Sequence, residues 1–210
     1  MVRRRKQTPS QKPSRNAGSR ASKPQQLGSV RIISGLWRGR KLPVHDAEGL
    51  RPTTDRVKET VFNWLAQDIP RAKVLDLFAG SGGLGFEAAS RQAEQVTMIE
   101  LNTPAYQQIV SNIALVKADN ILAHHGDALS YLSKPGQPHD VVFIDPPFRQ
   151  GLLPEAILLL EQNGWLADNA LIYIETEKEL QLDTIPEHWD LLKEKTAGQV
   201  SYRLFERESQ

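Results

Sequence analysis

From Lys73 onward, short apolar runs alternate with stretches whose apolar positions recur every three or four residues. The runs KVLDLF (73–78), QVTMIE (95–100), NILAHH (120–125), DVVFID (140–145) and ALIYIE (170–175) are short and mostly β-branched or aromatic, and read as strands. Residues 84–92, 103–117, 127–132 and 151–163 carry the helical spacing. Such alternation predicts parallel strands joined by crossover helices, with both faces of the sheet covered. Two further runs, WDLLKEKT and VSYRLFER, are separated only by AGQ and predict an antiparallel C-terminal hairpin. The expected body is an α/β domain around a mostly parallel seven-stranded sheet.

The pattern before Lys73 differs. Val57, Val61, Phe62 and Leu65 fall on one helical face, with Thr53 or Thr54 as the cap, an end near Gln67 and Pro70 beyond it. Between Val30 and Val44, VRIISG and RKLPV flank LWRGR and predict a small β-ribbon turning at Gly39, its tip basic with one aromatic, Trp37. Residues 1–28 are Arg, Lys, Ser, Pro and Gln with almost nothing to bury, which predicts a disordered basic tail. The expected division is tail 1–28, ribbon 29–50 and catalytic body 51–210.

A chain of 210 residues holds one such domain and an appendage, so a single active site is sought. It has no cysteine, which excludes disulfides, thiolate metal sites and a cysteine nucleophile, and fits a reducing compartment. No apolar run approaches the roughly 20 residues of a membrane span, and the basic start lacks a signal-like apolar stretch. A soluble, cytoplasmic protein is expected, without membrane or metal and acting as a monomer. The net charge of +1 hides a strong asymmetry: residues 1–45 hold twelve Lys or Arg and no acid. A basic arm on a mildly acidic body is suited to gripping a polyanion.

The sharpest local motif is DLFAGSGGLG (76–85), at the end of the first body strand and the start of a helix. Gly80, Gly82 and Gly85 form G-x-G-x-x-G, which lets backbone approach a ligand closely. A dinucleotide would place its pyrophosphate there. Asp76, at the strand's carboxyl end, instead suits a ligand with a cationic amino-acid moiety, such as S-adenosyl-L-methionine. Glu100 ends the next strand, 20 residues after Gly80, where it can accept both ribose hydroxyls of either ligand. Phe78, Ala79, Ser81 and Leu101 complete this candidate cofactor wall. Asp127 is placed to bond an adenine amine with Ala128 against the ring, or to cap a helix.

The motif that chooses among these is Asp145-Pro146-Pro147-Phe148, after the strand DVVFID. An amine on an aromatic ring is a poor nucleophile because its lone pair is delocalised. The Asp145 carboxylate and the Pro146 carbonyl can hold its two N–H bonds and favour a tetrahedral nitrogen. Two prolines stiffen the loop, and Phe148 can stack on an extruded base.

On these residues the sequence resembles the bacterial 16S ribosomal RNA guanine-N2 methyltransferases (the guanine-966 family), with a class I, Rossmann-like methyltransferase fold. The resemblance runs from about Val30 to the C-terminus and rests on RIISGLWRGRKLPV, RPTTDRVKETVFNWL (51–65), DLFAGSGGLGFEAASR (76–91), Glu100 and DPPF. Gly83 is a mild departure, standing where the family more often has Ala. The resemblance implies contacts to S-adenosylmethionine from Asp76, the Gly80–Gly82 loop, Glu100 and Asp127, with Asp145 to Phe148 on the guanine. It implies ribosomal RNA or an assembling small subunit as partner. Arg31, Trp37, Arg38, Arg40, Lys41, Arg51 and Arg56 are the expected nucleic-acid contacts, Arg51 and Arg56 bracketing a helix start where an arginine reaches a phosphate. His124 and His125 show no metal spacing, and Trp64, Trp165 and Trp189 are expected to pack. An adenine-N6 methyltransferase and a non-catalytic RNA-binding assembly protein are the alternatives.

Overall fold

The computed structural model describes residues 28–44 and 54–209. The expected disordered tail, except Gly28, lies outside the described residues, as do Arg51 and the alternative cap Thr53. Two short strands, β1 (Ser29–Arg31) and β2 (Lys41–Pro43), precede helix α1 (Asp55–Trp64). The body then runs β3 (Lys73–Asp76), α2 (Gly83–Ser90), β4 (Gln95–Glu100), α3 (Thr103–Val116), β5 (Ile121–His125), α4 (Ala128–Leu132) and β6 (His139–Ile144). It finishes with α5 (Leu153–Gln162), β7 (Leu166–Glu177), β8 (Trp189–Ala197) and β9 (Val200–Arg207).

The seven body strands form one sheet in the order β5-β4-β3-β6-β7-β9-β8. The first five positions pair in parallel, and β9 and β8 close the edge antiparallel. The closing turn is the pair Gly198-Gln199, with Gly198 at φ +64°. β7 starts before the expected Ala170, because Leu166 already pairs with His139 ahead of a register shift. β3 stops at Asp76 instead of Phe78, because the chain swings into the glycine loop, where Ala79 N–H donates to the Ile99 carbonyl at 2.9 Å.

Strand alternation divides the core. Val74, Val96, Val141, Phe143 and Tyr173 pack under α1, α2 and α3, whereas Leu75, Ile99, Val142, Ile144 and Ile172 pack under α4 and α5. Trp165 and Trp189 are buried in the second layer, and Trp64 packs at 5.7 Å from the Tyr202 ring in the first, as expected of packing residues. Thr54 caps α1 by accepting the Val57 N–H.

The ribbon is narrower than the sequence suggests. Only three residue pairs form its ladder, and Gly35 and Gly39 both take positive φ in the loop between. That loop lies on the C-terminal half of α2. Ile33 and Ser34 N–H donate to the Glu87 carboxylate at 2.7 and 3.0 Å, Leu36 N–H donates to the Ser90 carbonyl at 2.7 Å, and Trp37 N–H donates to Ser90 Oγ at 3.0 Å. Trp37 is therefore half-buried against the core and is not a projecting tip residue. Val30, Ile32, Leu42 and Val44 are buried with it.

Glu87 is fully buried and also pairs with Arg91 at 2.8 Å, whose guanidinium lies 4.8 Å from the Phe62 ring centre. Removing that carboxylate strands two backbone donors and a cation. Glu87→Ala is expected to lower stability by about 3 kcal/mol and to loosen residues 33–37, measurable by denaturant titration and amide exchange.

Candidate active site

The strand order reverses between β3 and β6: one half of the chain progresses through β4 to β5, the other through β7 to β9. Such a reversal opens a crevice at the strands' carboxyl ends, where open α/β sheets take their ligands. Both sequence motifs leave the sheet here.

On the β3 side, Gly80 and Gly82 have φ of +53° and +77°, with Gly82 capping α2. Glu100 ties the loop down. Its Oε2 accepts Gly80 N–H at 2.7 Å and its Oε1 accepts Asn102 N–H at 2.6 Å. Each carboxylate oxygen keeps a lone pair for a ligand hydroxyl. Asp76 Oδ2 accepts Gly85 N–H at 3.1 Å.

Burial is the main cause that pushes Asp76 up to about 7, and the neighbouring Glu100 charge adds to it. Burial likewise raises Glu100 above the ordinary carboxylate range. An acid pair of this kind favours a ligand bringing positive charge and hydroxyl donors. It disfavours a pyrophosphate, since a carboxylate already occupies a donor in the first turn of α2.

The third glycine acts through packing. A Cβ on Gly85 would stand 2.3 Å from Met98 Cε and 3.1 Å from Asp76 Oδ2, whereas a Cβ on Gly83 would meet nothing nearer than 3.8 Å. Gly83→Ala is expected to be neutral or to stabilise by about 0.5–1 kcal/mol, and Gly85→Ala to destabilise by about 1–3 kcal/mol, in parallel thermal melts.

Around the pair, Ala79 is buried, Phe78 and Ser81 are half-buried, and Leu101 is 66% exposed beside Glu100. Asp127 is the N-cap of α4, with Oδ1 accepting Ser130 N–H at 2.7 Å, and Ala128 is buried behind it. The capping role is thus present, leaving Oδ2 as a further acceptor. His125 stacks on Tyr106 at 5.1 Å, and no metal-binding cluster of His, Asp and Glu exists among the described residues.

On the β6 side, Asp145 follows Ile144 directly. Pro146 is buried, Pro147 is exposed and Phe148 is 42% exposed, a large ring offered to solvent at the crevice. Asp145 is half-buried where the chain leaves the sheet. Burial raises it well above the ordinary range, and the charges of Glu175 and Asp76 raise it further. The glycine loop, Glu100 and the DPPF loop therefore belong to one crevice.

Glu175 and Tyr173 belong to it too, and the sequence reading treated them only as part of a strand. The Tyr173 hydroxyl donates to Glu175 Oε2 at 2.8 Å. The legible signal was their spacing of two at the carboxyl end of the strand beside DVVFID. The basic candidates lie elsewhere: Arg31, Arg38, Arg40 and Lys41 are exposed on the ribbon and Arg56 on α1. Arg31 and Lys41 are cross-strand partners and line a recess with Ser29, Thr54 and Lys58. Lys58 itself is buried, donating to the Arg31 carbonyl and pairing with Asp55 at 3.4 Å.

The sheet order, with its antiparallel closing strands, and the crevice flanked by a glycine loop and a DPPF loop define a class I methyltransferase. The profile of a family described as Conserved hypothetical protein 95 matches residues 30–206. Ribosomal RNA small subunit methyltransferase D of Escherichia coli is 58% identical over 183 residues, covering 87% of this chain and 92% of that one. The solved structure of Escherichia coli yhhF superposes with a TM-score of 0.82 at 56% identity, over 87% of this chain and all of that one. M. jannaschii TYW2, solved in complex with AdoMet, shares the fold at a TM-score of 0.54 and 18% identity, over 80% of this chain and 82% of that one. The chain belongs to the family of these small-subunit methyltransferases.

Proposed function

We propose that this protein methylates the N2 amine of a guanine in small-subunit ribosomal RNA, with S-adenosylmethionine as donor. The observation that carries this reading is the meeting of the acid-lined glycine loop and the DPPF loop across one switch point. Asp76 and Glu100 suit the donor's ammonium and ribose, Asp127 its adenine amine, and Leu101 an apolar ring face. The donor supplies a methyl group already activated on a sulfonium, so the protein needs no strong base before transfer.

Its own residues then position. Asp145 and the Pro146 carbonyl accept the two N2 hydrogens and turn the nitrogen lone pair toward the donor, while Phe148 holds the base by stacking. Asp145 takes the spare proton after transfer. Ribosomal RNA enters through the named relative and through the exposed cations of the ribbon and α1, which grip phosphates without reading sequence.

The test is labelled methyl transfer to purified small subunits, naked ribosomal RNA and duplex DNA, followed by nucleoside analysis. N2-methylguanosine in RNA is expected. N6-methyladenosine as the product would replace this reading with the adenine one.

A further inference from the structure

The β-ribbon sets two cations against each other. Arg31 and Lys41 are partners across its ladder of three residue pairs, so their exposed side chains rise from the same face. Like charges placed directly opposite weaken a strand pair, and only two other pairs hold this one together. A local rule broken at such a place points to function.

The two cations line an open recess of about 440 Å³ between the ribbon and α1. Thr54, and Asp55 and Lys58 of α1, line it as well. Lys58 is buried, and its ammonium donates to the Arg31 carbonyl and meets Asp55 at 3.4 Å. It therefore ties β1 to the first turn of α1 and fixes the spacing across the recess. Three cations against one acid leave the lining with a formal charge of +2, and the acid is already matched by Lys58. The surplus belongs to Arg31 and Lys41.

This recess adjoins the crevice. A Cβ built on Gly83, the first residue of α2, would lie 3.8 Å from Val30 Cγ1 and 3.9 Å from Lys58 Cδ. Val30 and Lys58 both line the recess, so its wall packs against the end of the glycine loop. An anion held by Arg31 and Lys41 sits one layer of side chains from the cofactor loop.

An enzyme that works on an extruded base must hold the strand beside it, because the nucleotide swings out about its own backbone. With RNA as the substrate proposed above, on which this step depends, we propose that the recess seats a single phosphodiester of the RNA strand next to the target nucleotide. Arg31 and Lys41 grip that one phosphate together. This differs from general attraction by exposed cations, in which each side chain meets a phosphate of its own.

The experiment measures binding of the full-length enzyme to unmethylated small subunits across a range of salt concentrations. Wild type, Arg31→Gln, Lys41→Gln and the double variant are compared. Wild-type affinity that does not fall with salt, or absence of methyl transfer to the subunits, overturns the reading of RNA as substrate, whatever the recess holds. Each phosphate neutralised on a single strand contributes about 0.7 to the slope of log affinity against log salt. Either single variant is expected to bind about tenfold more weakly, and the double variant to flatten the slope by about 0.7 in all. Flattening by about 1.4 in the double variant means two separate phosphates and overturns the shared seat. An unchanged slope overturns the site altogether.

Stability gives a readout of opposite sign. Removing one of two opposed like charges relieves the ribbon, so free Arg31→Gln is expected to melt at or above the wild-type temperature while binding RNA more weakly. A melting temperature lowered by several degrees in both single variants makes the pair structural and overturns its assignment. Calorimetry of S-adenosylmethionine binding is expected to be unchanged. A tenfold loss there means that the recess takes the donor's carboxylate, and inorganic phosphate that displaces the RNA at equal concentration means a small-anion site; either result overturns the proposal.

Discussion

Asp145→Ala is expected to lower kcat for methyl transfer by about 10²–10³ while donor affinity stays within a few-fold. The lone pair of the proposed target amine is tied up in the ring until both hydrogens are held by acceptors. In the proposed reading Pro146 contributes a carbonyl whichever residue precedes it, but the second acceptor and the sink for the spare proton would both be Asp145. Its raised pKa gives a second signature. The ionised form is the better acceptor, so the wild-type rate should rise with pH through the raised value and then level, and the alanine variant should lose that rise. Stability should move the other way. Deleting a half-buried carboxyl beside Glu175 and Asp76 removes repulsion, so the variant's melting temperature at pH 8 should match or exceed that of wild type. Single-turnover transfer, calorimetry and thermal melts on one preparation distinguish this outcome from misfolding. Near-normal turnover would remove Asp145 from its assigned role.

The parts of the fold legible in the sequence were those set by local periodicity. The parallel strands, their helices and the closing hairpin each carry a pattern that survives one-dimensional reading, and the two loops at the switch point carry residue types whose chemistry is specific. What escaped depends on contacts distant in sequence. Trp37 reads as an exposed aromatic among arginines, yet its backbone binds Ser90, 53 positions away, and its ring rests on the core. Glu87 lies in the middle of a helical run, and nothing local reveals that it holds the ribbon. Glu175 reads as a polar end to an apolar strand until β6 and β7 are aligned and set it beside Asp145. Strand ends are ambiguous for the same reason: β7 gains its early residues from pairing with His139, not from its own composition.

The second large effect concerns Asp76, whose carboxyl sits at about 7 because it is buried, despite the Gly85 N–H, and because Glu100 is near. A carboxyl raised above its ordinary value binds a proton in the native state that the unfolded chain has already released. Between roughly pH 4 and 7 the native protein therefore holds more protons, and stability declines as the pH rises through that window. A ligand that places an ammonium against Asp76 reverses the preference, since the ionised form is then the one stabilised. Donor affinity is thus expected to fall by up to about tenfold per pH unit as the pH drops below about 7. Binding should therefore release more protons at pH 6 than at pH 8. Asp145 and Glu100 face the same recess and also hold raised values, so they can add to the release at pH 6. Calorimetry of S-adenosylmethionine binding in two buffers of different ionisation enthalpy reads this number directly. Asp76→Asn keeps the shape and the Gly85 contact but has no charge to regulate. It should bind about a hundredfold more weakly at pH 8, with the Asp76 share of the proton release gone. Affinity independent of pH in wild type from 5.5 to 8.5 would mean that Asp76 does not face the cationic end of the donor.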